Sequence, residues 1–192
     1  LPVAGGAAGI DMIGVVQAVA KGGCGIVRDG ERTVFVPGTI GGETIEFALA
    51  GRERGVWNGE LLRVLEPSPQ RVPAPCPHYG DCGGCNLQHM DYQEQLRCKA
   101  GILAANLRKI AGVVRSEPVP ALPSPPWRYR SRTELQAGAA GAGYFRKKSR
   151  QTVAVRRCLL LSEAAERFVG EFPARPPGGE GVLEILDNGH AL

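Results

Sequence analysis

Several signatures are missing from this 192-residue chain, and each absence narrows what it can do. There is no Gly-x-Gly-x-x-Gly fingerprint, no phosphate-binding Gly-Lys-Ser/Thr loop and no Gly-x-Ser-x-Gly elbow, so nucleotide and hydrolase sites of those kinds are not expected. Histidine is confined to His78, His89 and His190, which gives poor support to a cysteine or serine nucleophile activated by an imidazole. No apolar run approaches the roughly 18 residues that a membrane span needs, and no basic leader precedes an apolar stretch with a cleavage site. A cytoplasmic protein without a membrane partner is the expectation, and no self-sufficient active site is expected in these residues.

Cysteine, by contrast, is present six times, and three of the six stand in Cys76-Pro-His-Tyr-Gly-Asp-Cys82-Gly-Gly-Cys85. Three sulfurs this close in a glycine-rich turn can converge on one soft metal or an iron-sulfur cluster. Cys98, Cys158, His78 and His89 are the candidates for a fourth ligand. Cys158 would close more than 70 residues of chain, tying the loop to a distant strand. Zinc on three cysteines and His89 is the other arrangement, although structural zinc usually uses two close ligand pairs. Cys24, in a glycine-rich turn, reads as a small packed residue.

The net charge of +4 is unevenly spread. Residues 127–157 carry nine basic residues against Glu134 alone, a net +8, whereas residues 1–75 sum to −1 and 158–192 to −4. Concentrated positive charge implies a polyanionic partner, with nucleic acid first.

The fold expectation is α+β. Residues 1–9 read as a flexible Ala/Gly-rich tail. Residues 10–66 read as an OB-like five-stranded barrel with strands at Met12 to Ala20, Gly25 to Arg28, Thr33 to Val36, Glu43 to Leu49 and Glu60 to Leu65. Ile13, Val15 and Val19 share one face at period two, and Asp29-Gly30 offers a hairpin turn. Proline-rich residues 67–75 form a linker, and 76–192 a small mixed α/β domain. Within it a helix starts at Asp91, with Glu94 completing a capping box, and ends at Gly112; its stripe of Leu96, Leu103, Leu107 and Ile110 reads as core. A strand from Arg128 to Leu135 would put Arg128, Arg130 and Arg132 on one face. The Gly138 to Gly143 turn leads to Tyr144, Phe145, Arg146, Lys147 and Lys148, then a strand from Gln151 to Arg156. Those basic residues suit phosphate contacts, and the two aromatics are either stacking platforms or core. Ser162 caps a helix to Phe172, Pro173 to Gly179 is a second linker, and a strand from Val182 to Leu186 meets the hairpin signal Asp187-Asn188-Gly189. A hairpin so near Leu192 suggests a piece of a longer protein.

Together these segments resemble the iron-sulfur RNA uracil-5-methyltransferases, the 23S ribosomal RNA type above all. The similar stretches are Val34-Phe-Val-Pro-Gly38 with Gly42-Glu43, Cys76 to His89, Gln95-Leu96 with Lys99, Pro126-Trp-Arg-Tyr-Arg-Ser-Arg132 and Val155-Arg-Arg-Cys158. The resemblance implies a TRAM barrel followed by a central domain whose [4Fe-4S] cluster is held by Cys76, Cys82, Cys85 and Cys158. It implies structured, ribosomal RNA as partner. It also implies S-adenosylmethionine, but only in a C-terminal catalytic domain, because no Ser-Cys-Asn-Pro or Asp-Pro-Pro-Arg segment occurs here. These residues alone are then expected to be inactive. Two other classes compete: a TRAM-containing RNA methylthiotransferase-like cluster protein and a zinc-binding RNA adaptor. The first places its TRAM segment at the other end and needs a Cys-x3-Cys-x2-Cys motif that is not here.

Overall fold

The computed structural model describes residues 11–138, 141–172 and 181–187. They divide into two compact units, one formed by the chain up to Pro73 with His89–Leu122, the other by Ala74–Gln88 with the chain from Pro123 onward.

The first unit holds five strands: β1 (Met12–Val19), β2 (Cys24–Asp29), β3 (Arg32–Pro37), β4 (Thr44–Glu53) and β5 (Val56–Glu66). They close into a barrel in the order β1-β2-β3-β5-β4, with β3 and β5 parallel and the remaining pairs antiparallel. Alternation of β-branched residues drives this closure. Val27, Val34, Val36, Ile45 and Phe47 point inward and are fully buried, while the intervening side chains stay nearer solvent. On β1 the alternation has the expected period, and the face of Ile13 and Val15 is the outer one. Ile13 and Val15 are 68% and 55% exposed, and Met12 and Val16 supply the inner face. Pairing with β2 and β4 decides which of two alternating sets is buried, and a bulge between Val16 and Ala18 shifts the register further.

The proline-rich stretch after β5 is anchored rather than loose. Glu43 is fully buried and takes both guanidinium arms of Arg71, with Nε at 2.6 Å and Nη2 at 2.7 Å. The N–H groups of Ile40 and Ser68 donate to the same carboxylate, at 2.8 and 3.2 Å. Arg71 also donates to the carbonyl of Gly38 at 2.9 Å.

Helix α1 (Tyr92–Ala111) begins where the capping signal put it, with Asp91 Oδ1 accepting from the N–H of Glu94 at 2.8 Å. Only half of the capping box forms. Glu94 pairs with Arg97 at 2.7 Å, and the N–H of Asp91 goes to the carbonyl of Gln70 at 2.9 Å. Gly112, at φ 66°, ends the helix. α1 groups with the barrel rather than with the cysteine loop. The expected core stripe is not core: no residue of α1 is buried, and Leu103 and Ile110 are 47% and 82% exposed. Spacing fixes which face is apolar, but not whether another element covers it.

The second unit is an antiparallel sheet of order β8-β7-β6-β9, from β6 (Arg132–Gly138), β7 (Gly141–Phe145), β8 (Thr152–Ala154) and β9 (Gly181–Leu186). Helix α2 (Glu163–Glu171) starts at the Ser162 cap and turns Ala165 and Val169 onto Leu135, Val155 and Leu161. Gly141 to Gly143, expected in a turn, are buried strand residues of β7. The Pro173 to Gly179 linker and the Asn188-Gly189 turn lie outside the described residues.

Candidate metal centre and nucleic-acid surface

The cysteine loop folds through two tight turns. The N–H of Tyr79 donates to the carbonyl of Cys76 at 3.0 Å, and those of Asp81 and Cys82 to the carbonyl of His78 at 3.3 and 2.9 Å. The loop is then stitched to the end of β7. Cys82 pairs with Arg146 as an antiparallel bridge, the N–H of Gly83 donates to the Phe145 carbonyl at 2.8 Å, and that of Lys147 to the Asp81 carbonyl at 3.0 Å. Glycine is required at 83 because a Cβ there would stand 2.8 Å from the Phe145 carbonyl oxygen. Gly83→Ala should therefore push the loop off β7 and cost ~1–3 kcal/mol. Chemical denaturation checks this, and an unchanged midpoint would contradict it.

Cys158 follows β8 and is held from both sides. Its carbonyl accepts from the N–H of Leu161 at 3.1 Å, and the next two carbonyls, of Leu159 and Leu160, accept from Arg128 and Arg130 at 3.0 and 2.8 Å. This brings Cys158 into one small pocket with Cys76, Cys82 and Cys85, of about 20 Å³ and partly open to solvent. His78, Gln88, Arg130, Tyr144 and Arg157 also line it. Burial pushes the Cys85 thiol up; Gln88 opposes this by hydrogen bonding, and Cys158, Cys82 and Cys76 add to the rise. Cys82 is likewise raised by burial first, against the N–H of Gly84 and with Cys158, Cys76 and Asp81 adding. Each of these two thiols thus senses Cys158 and its loop neighbours. Among the described residues, no group of three or more His, Cys, Asp or Glu side chains is arranged to hold a metal ion. The four sulfurs share a cavity wall rather than a finished coordination shell. As a donor set, four soft sulfurs around one apolar pocket fit zinc or an iron-sulfur cluster.

The other fourth-ligand candidates, His78 apart, stand elsewhere. His89 is buried in the barrel unit, its Nε2 3.3 Å from the Thr39 carbonyl oxygen. Cys98, on α1, donates toward Glu94 Oε1 at 3.3 Å, and its thiol is pushed up to about 12 by burial first and then by Glu94.

The basic residues are sorted differently from the expected row. β6 begins only at Arg132, and Arg128 has a left-handed φ of 61° that breaks period-two alternation. Arg128 pairs with Glu166, Arg132 with Glu184 at 2.6 Å, and Arg130 turns into the cysteine pocket. Tyr144 is half-buried, with its hydroxyl 2.8 Å from Thr133 Oγ1, and serves the core side of the alternative. Phe145 is 41% exposed. Arg146 is exposed and pairs with Asp81 at 2.7 Å, Lys147 lies 5.1 Å from the Tyr79 ring centroid, and Lys148 is exposed. Arg150, also exposed, extends this surface, because the turn from Arg146 to Gln151 carries it.

No family model matches the chain. Its homologues are named as RNA uracil-5-methyltransferases, which supports that family. The chain is 34% identical over 165 residues to the 23S rRNA (uracil(1939)-C(5))-methyltransferase RlmD of Pseudomonas entomophila (strain L48), covering 83% of this chain and 36% of that protein. It is 32% identical over 181 residues to the RlmD of Shewanella sp. (strain MR-4), covering 88% and 40%. The chain thus spans well under half the length of these relatives. Among solved structures it shares its fold, at a TM-score of 0.58 and 24% identity, with the Pyrococcus abyssi tRNA (uracil-54, C5)-methyltransferase crystallised with S-adenosyl-L-homocysteine. That match covers 83% of this chain and 35% of the other. No helix among the described residues is long and apolar enough to cross a membrane.

Proposed function

We propose that the chain is the RNA-recognition and cluster-bearing part of an S-adenosylmethionine-dependent RNA uracil-5-methyltransferase, with a TRAM-type barrel and ribosomal RNA as the substrate class. The observation that carries this reading is the shared pocket of Cys76, Cys82, Cys85 and Cys158 in a chain whose homologues are named for 23S rRNA uracil methylation. These four residues would hold a [4Fe-4S] cluster, whose work here is structural: it would clamp the loop to the sheet. Methyl transfer and the S-adenosylmethionine site belong to the part of the longer relatives that this chain does not span. A cytoplasmic location goes with a ribosomal RNA substrate.

For RNA contact the observed surface favours Phe145, Lys147, Lys148 and Arg150 over the expected arginine row, because Arg128 and Arg132, like Arg146, already have carboxylate partners. The binding constant for a structured ribosomal RNA fragment should fall linearly with salt on a log-log plot. Reversing Lys148 and Arg150 together should reduce that slope by about 1 for each phosphate no longer neutralised, and reversing Arg132 should reduce it less. An electrophoretic titration in salt checks both. Salt-insensitive binding, or none, would remove the RNA assignment.

A further inference from the structure

Arg130 is set apart from Arg128 and Arg132 beside it in the sequence and from Arg157, which lines the same pocket. Arg128, Arg132, Arg146 and Arg157 each have a carboxylate within ion-pair distance: Glu166, Glu184, Asp81 and, at 3.9 Å, Glu166. Among the described residues Arg130 has no such partner. Its backbone is locked to the chain that carries Cys158, with its N–H donating to the Leu160 carbonyl at 2.8 Å and its carbonyl accepting from the N–H of Ser162 at 2.9 Å. The side chain is half-buried and lines the pocket of the four cysteines together with Tyr144, whose hydroxyl meets Thr133 Oγ1. Arg157 also lines the pocket, but its side chain is 69% exposed and shares Glu166.

A metal centre held by four thiolates carries net negative charge, whether it is a divalent ion or a cubane cluster. Such a charge in a partly buried pocket needs compensation, and hydrogen bonds to the sulfurs with nearby positive charge stabilise it. We infer that Arg130, which shares the pocket wall with Tyr144, is the residue that supplies the counter-charge to the four cysteine sulfurs, a task distinct from the RNA contact that its place in the basic segment suggests. The guanidinium suits this better than an ammonium would. It is always charged, less strongly hydrated, and presents several donors in one plane. A nearby positive charge also favours the more negative, reduced state of a cluster, so its loss should make reduction harder.

This inference rests on the proposal that the four cysteines hold a metal centre, and the test separates the two. The whole 192-residue chain, prepared anaerobically, is loaded with iron and sulfide or, separately, with zinc. Chelator competition and, for the iron form, a redox titration are then recorded for wild type, Arg130→Met, Arg130→Lys and Arg132→Gln. Arg130→Met should hold either metal about 10–100-fold more weakly, the range usual for residues that support metal ligands. Its midpoint potential should be more negative, Arg130→Lys should recover part of both changes, and Arg132→Gln should match wild type. Wild-type retention and potential in Arg130→Met, or equal losses in Arg132→Gln, would overturn the assignment. If Arg130→Met does not fold, Tyr144→Phe should shift both readouts in the same direction by less, and no shift would overturn it. Uptake of zinc but not iron would overturn the cluster reading while zinc retention still decides the role of Arg130. A chain that takes up neither metal overturns both.

Discussion

Replacing Cys158 with alanine should abolish metal retention by the chain and loosen the second unit as a whole, whereas replacing Cys98 should leave metal content unchanged. Cys158 is the one pocket cysteine that does not come from the loop, and it is buried in the core beside Leu135, Leu160 and Leu161. Without it, three sulfurs remain on one loop, and nothing ties them through a metal to the chain between β8 and α2. Metal binding and folding are coupled when the ligands come from separate segments, so weakened affinity appears as reduced stability. The cavity left by the thiol adds ~1–2 kcal/mol of its own, which gives the zinc-free and iron-free chains a common baseline. Thermal melts of loaded and metal-stripped protein separate the two contributions. In wild type the loaded form should melt well above the stripped form, and in Cys158→Ala the two melts should coincide. Cys98 serves as control because it bonds Glu94 on α1, within the barrel unit.

The second large effect is expected at Glu43. Glu43→Ala should destabilise the barrel unit by ~3–5 kcal/mol, the range for breaking a buried ion pair from one side. The substitution leaves the Arg71 guanidinium half-buried with only the Gly38 carbonyl, and orphans the N–H groups of Ile40 and Ser68. Burial is the largest single influence on Glu43 and acts to raise its pKa. The hydrogen bonds from Arg71, Ile40 and Ser68 and the charge of Arg71 together outweigh it, so the carboxyl titrates below its ordinary 4.5. A group whose folded pKa is depressed adds stability that is present above the unfolded pKa and is lost as pH falls through the folded value. Wild type should therefore lose stability progressively below about pH 4.5. Glu43→Gln should begin less stable at neutral pH and lose less on acidification. Parallel pH profiles for wild type and Glu43→Gln, measured by urea denaturation, would contradict this account.

How much of this was legible in the sequence differs from element to element for physical reasons. The barrel was legible because β-branched residues alternate between glycine-rich turns. The inward face of β1 was not, since Ile13 and Val15 are as apolar as Met12 and Val16, and the neighbouring strands decide between the two sets. Asp91 and Gly112 marked the ends of α1 within a residue, because caps are local chemistry. The exposure of Leu103 and Ile110 is not a local property and could not be read. The grouping of the cysteines followed from soft donors at close spacing and a family resemblance. The dispersal of the arginine row did not, because period-two reasoning assumed strand geometry upstream of Arg132, where the left-handed Arg128 ends it. No pattern in the chain paired Glu43 with Arg71, 28 residues apart.

The central claim is that Cys76, Cys82, Cys85 and Cys158 hold one iron-sulfur centre. Iron, zinc and acid-labile sulfide analysis of the anaerobically purified chain, with its visible and Mössbauer spectra, tests this most directly. The account predicts iron and sulfide in equal amounts with the spectra of a four-cysteine cubane cluster. Zinc alone, or iron without sulfide, would contradict it.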